Sequence, residues 1–113
     1  MAPRVLHGIE LFNQCEFFEC HEVLEAEWTG EVSYRRWFLQ ALIHLAVGFY
    51  HHQQANAVGL ERQLSKGLKK LAGFLPACEG IDTLALYEET QRWRETAASR
   101  RDAYPQIRVQ GIS

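Results

Sequence analysis

His21 and Glu25 stand one helical turn apart in the segment Glu16-Phe17-Phe18-Glu19-Cys20-His21-Glu22-Val23-Leu24-Glu25-Ala26-Glu27-Trp28. An α-helix turns about 100° per residue, so Phe17, Phe18, His21, Leu24, Glu25 and Trp28 share one face. That face is apolar apart from the imidazole and the carboxylate. A buried polar group without a partner costs about 1–3 kcal/mol. A His and a Glu placed there need each other, or a ligand. Neutral imidazole and carboxylate are ordinary ligands for zinc, iron, manganese or nickel. A His held by a buried Glu is also a general base.

A second polar line follows. Gln40, His44, Val47 and His51 fall within about 60° of one another on the helical wheel. They interrupt a segment that is otherwise apolar around almost its whole circumference. The two segments are joined by a short connection, which predicts antiparallel neighbours. If their polar lines face each other, His21 and Glu25 meet Gln40, His44 and His51, with Glu22 at the border. Trp28 and Trp37 would flank that cluster as pocket walls, although packing in the core is the ordinary role of such residues.

Known metal spacings are matched only in part. His21-Glu22-Val23-Leu24-Glu25 begins like the HExxH of zinc peptidases, but Glu25 stands where the second His belongs. Ferritin-like di-metal sites need two Glu-x-x-His pairs on separate helices, and the chain carries none. A divalent metal would have His21, Glu25 and His51 as its ligands. The same residues could instead form a structural hydrogen-bond network that fixes the pairing of the two helices.

Helices must position these residues, because the periodicity is helical nearly throughout. The first is predicted over Arg4–Asn13, with a stripe of Leu6, Ile9 and Phe12. A break at Asn13-Gln14-Cys15 leads into the second, which runs to Trp28 and closes at Thr29-Gly30, with Gly suited to a left-handed cap. The third spans about 33–53 with Ser33 as N-cap, and its apolar circumference predicts a central, buried helix. The fourth is capped by Asn56 and reaches Leu75 on a stripe of Leu60, Leu64, Leu68, Leu71, Phe74 and Leu75. Its other face holds Arg62, Lys66, Lys69 and Lys70, read as a solvated surface. The fifth starts at the cap Asp82 and reaches Arg101 with Leu86, Thr90, Trp93 and Ala97 as a weaker stripe. Its Glu88, Glu89, Arg92, Arg94 and Glu95 read as an exposed, ion-pair-laced face. The tail, about 102–113, alternates at Ile107, Arg108 and Val109 and is predicted to be extended. The fold class is all-α: a five-helix, bundle-like single domain over 1–113.

Composition narrows the function classes. At 113 residues the chain suits one domain, and 47% hydrophobic residues supply a core. A formal net charge of -2 with interspersed signs predicts no nucleic-acid surface. The apolar run from Trp37 to Tyr50 falls short of the ~20 residues a membrane span needs. The N-terminal residues lack a signal-peptide pattern. The three cysteines, Cys15, Cys20 and Cys78, make neither a disulfide framework nor a zinc ribbon. They predict free thiols in a reducing cytoplasm, with Cys20 opposite the apolar face and partly exposed. His7 and His52 read as surface residues. An exposed apolar strip on the first helix, the fifth helix or the tail could make a homodimer.

One resemblance rests on particular residues. Gly8-Ile9-Glu10-Leu11-Phe12-Asn13 leads into Glu16 through Glu25 and Trp28. Then come Phe38-Leu39-Gln40-Ala41-Leu42-Ile43-His44-Leu45-Ala46, Tyr50-His51, Asn56, Gly59 and Lys66-Gly67-Leu68. From Gly8 to Leu86 the chain resembles the small bacterial and archaeal family catalogued as domain of unknown function 309. The resemblance implies a compact all-helical fold and carries no activity with it. It matches at His21, Glu22, Glu25, Trp28, Gln40 and His51. It implies that His44 differs among relatives and is not an essential ligand.

Two readings follow. One is a ligand or metal site between the second and third helices, with His21, Glu22, Glu25 and His51 as ligands or acid/base groups and metal-assisted hydrolysis as the reaction class. The other is a non-catalytic interaction module whose polar network is structural. Whether the chain is an enzyme stays open at this level.

Overall fold

The computed structural model describes residues 1–96 and 103–110. Five α-helices follow one another: α1 Pro3–Asn13, α2 Phe17–Thr29, α3 Arg35–Gln53, α4 Ala57–Leu71 and α5 Thr83–Thr96, with a short 3-10 turn at Ala72–Phe74. The fold is all-α. The predicted run of α5 through 97–101, and residues 102 and 111–113 of the tail, lie outside the described residues.

Local chemistry sets several boundaries. Pro3 occupies the first turn of α1, where its missing N–H leaves nothing unpaired. Asn56 caps α4 through its Oδ1, which accepts from the Gly59 N–H at 2.9 Å. Asp82 caps α5 in the same way, accepting from the Ala85 N–H at 2.9 Å. Ser33 stands one residue outside the cap of α3, and its Oγ accepts from the Arg35 N–H at 3.2 Å. At the end of α2 the expectation of a left-handed glycine fails: Gly30 has φ -90°. The left-handed residue that breaks the chain is Cys15, φ 63°, between α1 and α2.

α3 lies at the centre. It buries Phe38, Leu39, Ala41, Leu42, Leu45, Ala46 and Phe49, and it packs against both α2 and α4. Each of the Phe and Leu side chains contributes about 1.5–3 kcal/mol of transfer free energy. α4 comes close because Gly67 lies over Leu45; a Cβ there would stand 2.7 Å from Leu45 Cδ2 and 3.2 Å from the Ala41 carbonyl oxygen. α1 buries Val5, Gly8, Ile9 and Phe12, while Leu6 of the predicted stripe is exposed. The i, i+3, i+4, i+7 spacing starts one residue earlier than the sequence pattern suggests.

Residues 103–110 return across the helices. Ile107 is buried, Arg108 exposed, and Val109 pairs with Ile81. Asn13, the last residue of α1, grips this segment from both sides: its Nδ2 donates to the Ile107 carbonyl at 2.9 Å, and its Oδ1 accepts from the Ile107 N–H at 2.7 Å. Tyr104 then packs edge-on against Phe17 and Phe49, with ring centroids 5.0 and 5.4 Å apart.

Candidate functional site

α2 is rolled relative to the sequence expectation. Its buried face is Phe17, Cys20 and Leu24. Phe17 is held by Phe12, Phe49 and Tyr104 at centroid distances of 5.2, 5.4 and 5.0 Å. This three-sided aromatic contact takes Phe17 inward and leaves its neighbour Phe18 47% exposed. Cys20, expected to be partly exposed, is fully buried. Burial pushes its thiol up to about 12.

The roll brings His21 and Glu25 to the rim. Glu22 and Glu25 are exposed, and His21 is half-buried. His21 Nε2 meets Glu25 Oε2 at 3.0 Å, and its Nδ1 faces the Phe18 carbonyl oxygen at 3.2 Å. A neutral ring can donate to only one of these two acceptors; an imidazolium satisfies both. In the neutral ring the nitrogen without a proton faces an acceptor, so one lone pair of His21 stays open to a proton. An exposed i,i+4 pair of this kind contributes about 0.3–0.5 kcal/mol.

The polar line of α3 divides. Its C-terminal half, Val47 and His51, meets α2: Phe17, Phe18, His21, Val47, Tyr50 and His51 line a pocket of about 160 Å³. Its N-terminal half, Gln40 and His44, opens instead toward Lys66, Lys69 and Lys70 of α4. His44 Nδ1 donates to Gln63 Oε1 at 2.7 Å. Burial, then the charges of Lys70 and Lys66, hold its pKa below the usual histidine value, against the Gln63 bond. Thus His21 and His51 share a wall, Glu25 meets His21 alone, and Glu22 and Gln40 do not line that pocket. Among the described residues no three His, Cys, Asp or Glu side chains stand close enough to hold a metal ion, so His21, Glu25 and His51 do not form such a set.

His51 is oriented by the cap of α4. Asn56 spends its Oδ1 on Gly59, which turns its Nδ2 toward His51 Nδ1 at 3.4 Å. Nδ1 therefore accepts, and the ring carries its proton on Nε2. Trp28 and Trp37, expected as pocket walls, lie elsewhere. Trp28 packs against the core beneath the Arg36 guanidinium, 4.8 Å from its ring, and its buried Nε1 lacks a hydrogen-bond partner among the described residues. Trp37 is 53% exposed. The walls are instead Phe17, Phe18, Val47 and Tyr50.

Two features escape the sequence reading. His52 is half-buried rather than at the solvent edge: its Nδ1 meets the Tyr104 hydroxyl at 2.7 Å and its ring stands edge-on to Trp93 at 4.9 Å. The signal is its spacing, since Leu45, Phe49 and His52 continue one buried stripe. Arg35 forms a hub with Glu27 at 3.1 Å, Glu31 at 3.0 Å and Glu79 at 2.7 Å, tying α2 and α3 to the loop before α5. Hydrogen bonds from Ser33, then the Arg35 guanidinium, hold the Glu31 carboxyl down to about 2.

The family model described as domain of unknown function (DUF309) matches residues 5–63, over half of the chain. The chain belongs to the DUF309 family. The matched segment runs from α1 into α4 and contains every residue that lines the α2–α3 pocket. It is shorter at its C-terminal end than the resemblance from Gly8 to Leu86. A family relative, "Uncharacterized protein YpuF" of Bacillus subtilis (strain 168), is 33% identical over 86 residues, which cover 74% of this chain and 49% of YpuF. The chain thus spans about half the length of that curated relative. Among the described residues no helix is long and apolar enough to cross a membrane.

Proposed function

We propose that this domain is a non-catalytic binding module whose recognition site is the α2–α3 pocket, and that its partner is a basic amphipathic helix. The observation that carries the reading is an apolar socket on a helix that bears carboxylates and no Lys or Arg. The socket, about 160 Å³, compares with the roughly 150 Å³ cavity that accommodates benzene. It has room for one Leu or aromatic side chain. Phe18, 47% exposed, extends its apolar lip. Glu22 and Glu25 are exposed on the Phe18–His21 side of α2, and α2 contains no Lys or Arg.

An anchor side chain in a pocket with complementary charge at the rim is the usual division of labour in helix-in-groove recognition. The anchor supplies affinity, and the rim charges steer encounter and set orientation. Metal-assisted hydrolysis fits less well, because among the described residues His21, Glu25 and His51 do not come together as a set that could hold a metal ion.

The test is fluorescence anisotropy with a synthetic Lys-rich amphipathic peptide bearing a Leu anchor, its Ala-anchor analogue and a Glu-rich analogue. The Leu, Lys-rich peptide is expected to bind best and to weaken with salt. The exposed substitutions Glu22→Lys and Glu25→Lys together should abolish that preference while lowering the melting temperature by no more than about 4 °C, the share of the His21–Glu25 pair. Equal binding of all three peptides, or of none, would refute the reading.

A further inference from the structure

Toward the N-terminal end of the same line on α3, Lys66, Lys69 and Lys70 border a solvent-open depression with Trp37, Gln40 and His44. Its volume, about 660 Å³, lies within the range of small-molecule sites. No carboxylate lines it, and none of the three lysines forms an ion pair among the described residues. Ammonium groups gathered on one wall without counter-charge repel one another. A bound anion removes that cost. The Trp37 indole, 53% exposed, borders the depression from α3, a large apolar face left to water. His44 donates from Nδ1 to Gln63 Oε1, so its Nε2 offers a lone pair to a ligand hydroxyl.

We propose that this depression binds a small phosphate-bearing ligand with a planar aromatic ring, of the mononucleotide type. Lys66, Lys69 and Lys70 hold the phosphate as point charges. Trp37 stacks on the ring. Gln40 and His44 Nε2 meet the hydroxyl and ring-edge groups between them. The site shares no residue with the α2–α3 pocket and does not rest on the binding-module reading.

Calorimetric titration with adenosine 5′-monophosphate, inorganic phosphate and adenosine tests this. The mononucleotide is expected to bind most tightly and inorganic phosphate more weakly. The double variant Lys66→Gln, Lys70→Gln should weaken both phosphate probes by about tenfold or more. Trp37→Ala should weaken the mononucleotide by about tenfold and leave inorganic phosphate unchanged. Lys69→Glu, on the exposed rim, provides a second charge variant should the double variant melt at lower temperature. Failure of the mononucleotide to bind in the millimolar range overturns the proposal, as does binding indifferent to every lysine variant. A thymidine oligonucleotide that binds where the mononucleotide does not would make the face a nucleic-acid surface and overturn it equally.

Discussion

Asn13 ties the end of α1 to the returning segment 103–110 through one polar side chain. Its amide closes two hydrogen bonds to Ile107, at 2.7 and 2.9 Å, across 94 residues of sequence. Asn13→Ala removes both, each contributing about 1 kcal/mol, and leaves the Ile107 N–H without its partner. Ile107 is 3% exposed, so water replaces the amide poorly. The expected loss is about 2–3 kcal/mol in all. For a domain of this size each kcal/mol lowers the melting temperature by about 4–8 °C, giving a fall of about 10–20 °C. Urea denaturation followed by tryptophan fluorescence measures it, and amide exchange at Ile107 locates it. Asn13→Asp keeps the acceptor for the Ile107 N–H but sets a carboxylate oxygen against the Ile107 carbonyl, so at neutral pH it should also destabilise. A change below about 0.5 kcal/mol for Asn13→Ala, the range of ordinary surface substitutions, would refute the reasoning.

Other outcomes follow from the packing and the titrating groups. Gly67→Ala gains about 1 kcal/mol of helix propensity, but its Cβ meets Leu45 and the Ala41 carbonyl. Since overpacking costs about 1–3 kcal/mol, urea denaturation should show a net loss. Gly30→Ala, with a right-handed backbone and open space around its Cβ, should instead gain about 0.4–1 kcal/mol; a loss would restore the left-handed cap. A thiol-alkylating reagent should modify Cys15 and Cys78 before Cys20, whose buried thiol is pushed up to about 12, and mass spectrometry of tryptic peptides reads the order. His44 has its pKa lowered by burial and by Lys70 and Lys66. The unfolded chain therefore binds the proton first, and stability falls as pH drops below the ordinary histidine range. Comparative melting from neutral to mildly acidic pH should show His44→Gln losing less stability than the parent.

The helices are legible from their periodicity, sharpened where a boundary residue has a local mechanism. Asn56 and Asp82 act as caps through their own side chains, and an all-round apolar α3 can be satisfied only at the centre. The roll of α2 is not legible. Phe17 and Phe18 are adjacent, and either could lead a plausible stripe: Phe17, Cys20 and Leu24, or Phe18, His21 and Glu25. The choice is made by Phe12, Phe49 and Tyr104, which lie far apart in sequence and meet only in the folded chain. One step of roll carries the His–Glu pair from the expected interior to the rim. The division of the α3 polar line has the same origin, since Val47 and His51 meet α2 while Gln40 and His44 open on α4. Tyr104 and Ile107 likewise draw their partners from residues with no periodic relation to them.

The central claim is that the α2–α3 pocket receives an apolar anchor from a basic helix. Two-dimensional NMR of the labelled domain, titrated with the Leu-anchored, Lys-rich peptide, tests it most directly. The account predicts shifts concentrated at Phe18, His21, Val47, Tyr50 and His51, diminished with the Ala-anchored peptide. Shifts spread over α5, or absent from these five residues while the peptide binds, would contradict it.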